Sequence, residues 1–349
     1  MLKKMKEKQE KITKETQKEE KVRRNIREEL KLAVKKYTDI THFVSRATFV
    51  MTARMSYTMF EGVQRGISDS VASYMKFNDE INKSMTMLDQ IEQETFNNIF
   101  EERTVDLMGE YALKLESLSK SLYDTVSAQI EAGQAMNFLE ESAKAAIAGI
   151  TTIDIAADAG ISTMKGFGLE AQNIGDVYDW LFKIVELGRG TFEDYAKNIG
   201  RIANVSNKAG IELNDLGAAL ATMTQSIKPD VAQTTMKQLI LNLSEPTEKL
   251  VNLLKKYDLT LQDVNFRQSS FAEVISKLTV LQEEELVQVA GSRRGYEALA
   301  TLMGNLNKYH EYRIQMLTRS GATERAYNTR IETTAHSWRQ FTSNLEEFL

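Results

Sequence analysis

The side chains that could do chemistry are few and widely scattered. His42, His310 and His336 are the only histidines in 349 residues, and none has a second His or Cys at a ligand spacing such as i, i+4. Cysteine is absent, which removes disulfides, thiol nucleophiles and thiolate metal sites. Gly188-Arg189-Gly190 comes nearest to a phosphate loop, yet no strand precedes it and no Lys-Ser/Thr follows, so it reads as an interhelical turn. Paired carboxylates occur at Glu140-Glu141 and Glu283-Glu284-Glu285. A glycosidase needs two such groups across a cleft with one pKa raised, and adjacency in sequence does not supply the cleft. Glu283–Glu285 fit better as the opening of a helix, where acids meet the positive end of the dipole. Arg293-Arg294, just after Gly291, could meet a phosphate, but a surface ion pair is their plainer use. The expectation is no catalytic residue, no cofactor and no metal.

Composition sets the class of scaffold. Apolar residues make up 42% and charged residues 27%, with only two prolines and eighteen glycines, so breakers are rare and helix formers abundant. That argues for an all-α chain. The longest uncharged runs, such as Leu216–Ile227, fall short of the roughly 20 apolar residues of a membrane span. The basic start, Met1–Lys6, is followed by no apolar h-region, so synthesis in the cytoplasm is expected. The net charge of −5 is uneven: residues 1–36 hold 14 Lys/Arg and 7 Asp/Glu, which leaves 30 and 42 for the rest. A basic arm thus precedes an acidic body. Interspersed Glu residues in the arm argue against nucleic-acid binding and for a solvated, partly self-paired helix.

Periodicity divides the chain further. Residues 1–36 read as one long exposed helix whose seam (Met5, Ile12, Val22, Ile26, Leu30, Val34) is interrupted at Thr16 and Glu19. A second helical segment, 37–103, is rich in Met, Phe and Tyr, with Gly62 and Gly66 as bends; Met51, Met55, Met59, Phe60 and Met75 could form an adaptable interface, though helix–helix core is their plainer use. From Thr104 onward the helices shorten to about 10–20 residues. Asn137-x-x-Glu140, Thr191-x-x-Asp194 and Ser270-x-x-Glu273 have the form of capping boxes and predict three helix starts. Trp180, Leu181, Ile184 and Val185, and again Leu239, Ile240 and Leu243, fall on single helical faces and predict core. Tyr296–Leu349 reads as one or two amphipathic helices broken at Ser320-Gly321.

Two junctions are nearly one phrase, Gly166-Phe167-Gly168-Leu169-Glu170-Ala171-Gln172-Asn173 and Lys208-Ala209-Gly210-Ile211-Glu212-Leu213-Asn214-Asp215, with Gly168 and Gly210 42 residues apart. Each glycine is placed to close a helix in the left-handed conformation, with Leu169 or Ile211 packing back on it. The succession of phrases is the more specific signal: Glu140–Ala146, Asp154–Asp158, Phe167-Gly168-Leu169, Asp176-Val177, Gly210-Ile211, Leu243–Thr247 and Gly291–Arg294. In that order they resemble the core region of phage tail tape measure proteins, the minor tail proteins of long-tailed phages and prophages, over roughly residues 105–318. A departure is Lys228-Pro229-Asp230, where the family often has a Gly-rich turn with an Ala-Gly-Thr phrase.

The resemblance implies a structural protein that occupies the tail tube lumen, templates tail assembly and length, and is ejected during DNA delivery. Its implied partners are the tail tube protein, tail assembly chaperones, baseplate or tail-tip proteins and further copies of itself, with no specific nucleic acid and no membrane span in these residues. Members are commonly longer, so the chain is read as the N-terminal part of a larger protein. The expected organisation is long N-terminal helices followed by a multi-helix bundle of short Gly-punctuated helices: an arm at 1–36, the Met/aromatic segment at 37–103, a tape-measure-like core at 104–318 and a C-terminal helix at 319–349. The competing reading is a helical secreted effector or glycosidase-like enzyme with a carboxylate site. A membrane-active protein is a weaker third, because charges recur along the whole chain.

Overall fold

Every secondary-structure element among the described residues is helical, and from Leu115 to Ile331 there are thirteen α-helices and two 3₁₀ turns. A computed structural model of the chain describes residues 110–332 without a break, together with 79, 82–88, 103–104 and 106–108. The arm at 1–36, nearly all of 37–103, and the segment after Glu332 lie outside the described residues, as do His42, His336, the Met51–Met75 group and the bends at Gly62 and Gly66.

The chain builds three helical hairpins in succession: α1 (Leu115–Ser127) with α2 (Ala132–Gly149), α3 (Ile153–Phe167) with α4 (Ile174–Leu187), and α5 (Phe192–Ala209) with α6 (Leu213–Met223). The first members lie side by side and parallel. Lys120 of α1 reaches Asp154 of α3 at 3.4 Å, and Asp158, one turn on, faces Asp124. Gly200 of α5 sits against Ser162 of α3, and Gly166 against Ala203 and Asn204. A fourth helix, α7 (Pro229–Ser244), extends the row, with the Gln233 amide donating to the Asp194 carbonyl at 3.1 Å. The second members α4 and α6 form the layer behind, where Trp180 donates to the Leu213 carbonyl at 2.9 Å and packs on Gly217. Asp215 through Met223 of α6 are all buried, which makes α6 the centre of the core.

The hairpins repeat because the turn chemistry repeats. Gly168 (φ +67°) and Gly210 (φ +86°) take the left-handed conformation expected of them. The Leu169 N–H bonds the Met164 carbonyl at 2.8 Å and the Ile211 N–H bonds the Ser206 carbonyl at 2.9 Å, the six-to-one closure of a Schellman cap. Gln129 (φ +59°) closes α1 the same way, with Ile130 in the role of Leu169 and Ile211. Gln129, Gly168 and Gly210 are therefore equivalent points of one repeat.

Past α7 the helices shorten: α8 (Glu248–Lys256), α9 (Phe271–Lys277), α10 (Glu283–Ala290), α11 (Arg293–Gly304), α12 (Leu306–Met316) and α13 (Ala322–Ile331). Three of these, at seven to nine residues, are shorter than the periodicity suggests. The chain breaks at Ser320-Gly321 as expected, with Gly321 at φ +75° before α13. α12 packs on α6, while α13 lies across α2 and α4. Capping boxes form at Thr191–Asp194 and Ser270–Glu273. The third expected box fails: α2 begins at Ala132, so Asn137 is an exposed residue inside the helix. The Gln129 cap brings the chain round within four residues, and α2 starts at once without a side-chain cap.

Candidate functional site

The residues that sequence alone marked for chemistry are dispersed and paired off. His310 is exposed and lies edge-on to Tyr309, with ring centroids 5.3 Å apart. No group of three or more His, Asp or Glu among the described residues is arranged to hold a metal. Lys144 bridges Glu140 (3.2 Å) and Glu141 (2.9 Å). Glu285 opens α10, as expected, and accepts from Lys256 (2.8 Å), Tyr257 (2.5 Å) and the Gln282 N–H (2.9 Å). Those hydrogen bonds, the lysine's first, lower its pKa to about 2, the opposite of what a general acid needs. Arg293, in the first turn of α11, pairs with Glu283 at 3.2 Å. Gly188-Arg189-Gly190 is a turn between α4 and α5, and the Arg189 carbonyl accepts from the Tyr195 hydroxyl at 2.7 Å.

The main polar construction instead joins α12 and α13 to the hairpins. Asp215, buried in α6, accepts from the Tyr309 hydroxyl at 2.7 Å and from Arg313, whose other nitrogen reaches Glu212 at 3.1 Å. Burial and the neighbouring Asp215 carboxylate push the Tyr309 hydroxyl's pKa far up, so it remains a donor. Arg319, between α12 and α13, donates to Asp176 of α4 at 2.5 Å and to Asn214 at 2.8 Å. Asp179, one turn past Asp176, accepts the backbone N–H groups of Gly321 (2.6 Å) and Thr323 (2.8 Å). It thereby satisfies the start of α13 from another helix, where a carboxylate also meets the positive end of the dipole. Sequence reading noted Asp176 within a phrase but gave no role to Asp215, Arg313 or Arg319. The only local sign was Asp215 on the apolar face shared with Ala218, Ala219 and Thr222.

Two surface features complete the inventory. A groove of about 490 Å³ lies between the C-terminal ends of α5 and α7 and the 264–267 loop, with Leu241, Val264 and Phe266 among its walls and Lys208, Glu245 and Arg267 at its rim. Ile314 and Leu317, one turn apart at the end of α12, are more than 60% exposed.

The description of the phage-related minor tail protein family matches residues 102–304, which takes in α1 to α11. The chain belongs to that family. Its relatives include the tape measure protein of Pneumococcus phage Dp-1, 22% identical over 330 residues, covering 85% of this chain and 28% of the relative. The probable tape measure protein of Clostridium phage phiCD119 is 19% identical over 251 residues, covering 70% and 26% respectively. The chain thus spans little more than a quarter of the length of these two curated relatives. No solved structure matches. The family is one of structural tail proteins and not of enzymes, which sets aside the glycosidase reading. No single described helix is long and apolar enough to cross a membrane.

Proposed function

We propose that this phage tail protein acts as a tape measure: it occupies the lumen of the tail tube, templates assembly and length, and leaves ahead of the DNA. The observation that carries the reading is the coincidence of the family match, residues 102–304, with the hairpin row and the short helices that follow it, α1 to α11. Within it, residues 104–318 serve assembly and end-recognition, through contacts with tail chaperones and baseplate or tail-tip proteins. Residues 1–36 contribute length, facing the tube wall with other copies of the chain; 37–103 lies between that arm and the core, and 319–349 follows the core as a C-terminal helix. The helices clamped by Asp215 and Asp176 hold no catalytic, cofactor or metal residue in this reading.

Cross-linking and mass spectrometry on intact purified tails test the location. Links from the arm lysines to the inner wall of the tube protein are expected. Tails that lack the chain, or links confined to the outer tube surface, would overturn the lumen placement.

A further inference from the structure

Ile150 is the least suitable residue in the structure for the conformation it holds. It closes α2 in the left-handed region (φ +55°, ψ +47°), with the Thr151 N–H bonded to the Ala146 carbonyl at 2.9 Å. Gly168 and Gly210 make the same cap without strain, whereas a β-branched residue there is a steric outlier. The Ile150 residue is 62% exposed, so burial does little to hold it there. The bend is kept from the neighbouring positions. A Cβ on Gly149 would stand 2.7 Å from the Phe192 ring, and the Thr151 hydroxyl donates to Glu193 at 3.0 Å. The turn Ile150-Thr151-Thr152 contains neither Gly nor Pro, and Thr152 makes no side-chain cap for α3. The chain therefore turns through 117° with Gly149 as its one local breaker and the left-handed position itself occupied by Ile150.

The apolar pattern runs through that bend without a change of phase. Met136, Ala143, Ile150, Ala157 and Met164 recur every seven residues, and so do Leu139, Ala146, Ile153, Gly160 and Phe167, three residues further on. These are the a and d positions of five consecutive heptads, and all six charged residues of 132–167 fall off the seam. In the folded chain every member but Ile150 and Phe167 is buried, and Ile150 stands at the centre of the a series. A compact hairpin has no need of a register kept across its own turn. A continuous helix does.

We infer that α2 and α3 are one helix folded at Ile150, and that straightening it, residues 132–167, presents an unbroken heptad seam to a second copy of this chain. The straight form exchanges the left-handed strain and the Phe192 contact for regular backbone hydrogen bonds, and covering the seam replaces the core contacts that are given up. The inference rests on the backbone and the heptads, so it stands or falls apart from the tube-lumen reading.

The full chain lacks cysteine, so Asn137→Cys with Lys165→Cys gives one spin-labelled pair at two exposed positions. Arms of 13 and 15 residues meeting at the 117° bend place the pair about 22 Å apart, against about 42 Å along a straight helix. Pulsed dipolar distances are read across a urea series below global unfolding, at two protein concentrations. A narrow component near 42 Å that grows with protein concentration is expected, distinct from the broad distribution around 30 Å of an unfolded span. Ile150→Gly relieves the folded turn and weakens the straight helix, so it lowers that component at least tenfold. Ile150→Ala with Thr151→Ala and Thr152→Ala raises it. A single distance near 22 Å until the chain unfolds would overturn the inference, as would a long component indifferent to Ile150→Gly or to concentration.

Discussion

The hairpin row and the C-terminal helices are held with a different balance of packing and polar contacts. In the row, helices approach until no room is left for a side chain: a Cβ on Gly166 would lie 2.6 Å from the Ala203 Cβ and 2.9 Å from the Asn204 nitrogen. Gly160 is closed in the same way by Ile174 and Tyr178. Past α7, ion pairs and hydrogen bonds are added to the apolar contacts, with Arg313 and Arg319 on Asp215 and Asp176, Lys256 and Tyr257 on Glu285, and Lys277 on Asp263. Close packing tolerates neither added volume nor polarity, whereas a polar clamp is sensitive to pH and to the loss of one partner. The two halves should therefore fail under different insults.

The largest effect is expected where there is least space. Gly166→Leu should destabilise the chain by about 3 kcal/mol or prevent folding, and Gly166→Ala by about 1–3 kcal/mol, because backbone atoms face the new Cβ. Urea unfolding measures both. Asp215→Ala comes next, at about 2 kcal/mol, since it leaves the Tyr309 hydroxyl without its acceptor and Arg313 with Glu212 alone, while solvent still reaches the arginine. Hydrogen exchange on that variant should rise first in α12 and α13, and uniform loosening of the row would break the comparison.

Gly210→Ala is smaller, on the order of 1 kcal/mol for left-handed strain. The new methyl would meet Arg267, the side-chain Cγ at 2.8 Å and the backbone Cα at 3.4 Å. A thermal midpoint equal to the parent's would contradict that backbone assignment. The smallest effect concerns pH. Glu285 is lowered from 4.5 to about 2 in the folded chain, so its stabilisation is complete above the unfolded value and is lost as pH falls from about 4.5 toward 2. Glu285→Gln should flatten the dependence of the urea midpoint across that window, and an unchanged slope would place the acid response elsewhere.

How much of this could be read from residues alone depended on the distance over which each device acts. Gly168 and Gly210 announce their caps because the residue type itself permits φ > 0. Gln129 performs the same turn without that signature, so the first of the three hairpins was hidden. The Asn137 box misled for a related reason: the pattern was present, but the cap before it had already started the helix. The clamps were invisible, since Tyr309 and Asp215 are 94 residues apart and Arg319 and Asp176 are 143 apart. Nothing local to Asp215 names an arginine as its partner. The groove between α5 and α7 was equally hidden, being made of chain ends that meet only in the fold.

The proposed division between a length-giving arm and an assembly core is open to one direct measurement, the tail length of particles carrying deletions in this chain. Removing 21 residues, Lys8 to Glu28, should shorten intact tails by about 30 Å at 1.5 Å per residue. Removing α7, Pro229–Ser244, takes out the fourth helix of the row and should abolish tails. Intact tails shortened in proportion to the α7 deletion, or tails of unchanged length after loss of the arm residues, would contradict the account.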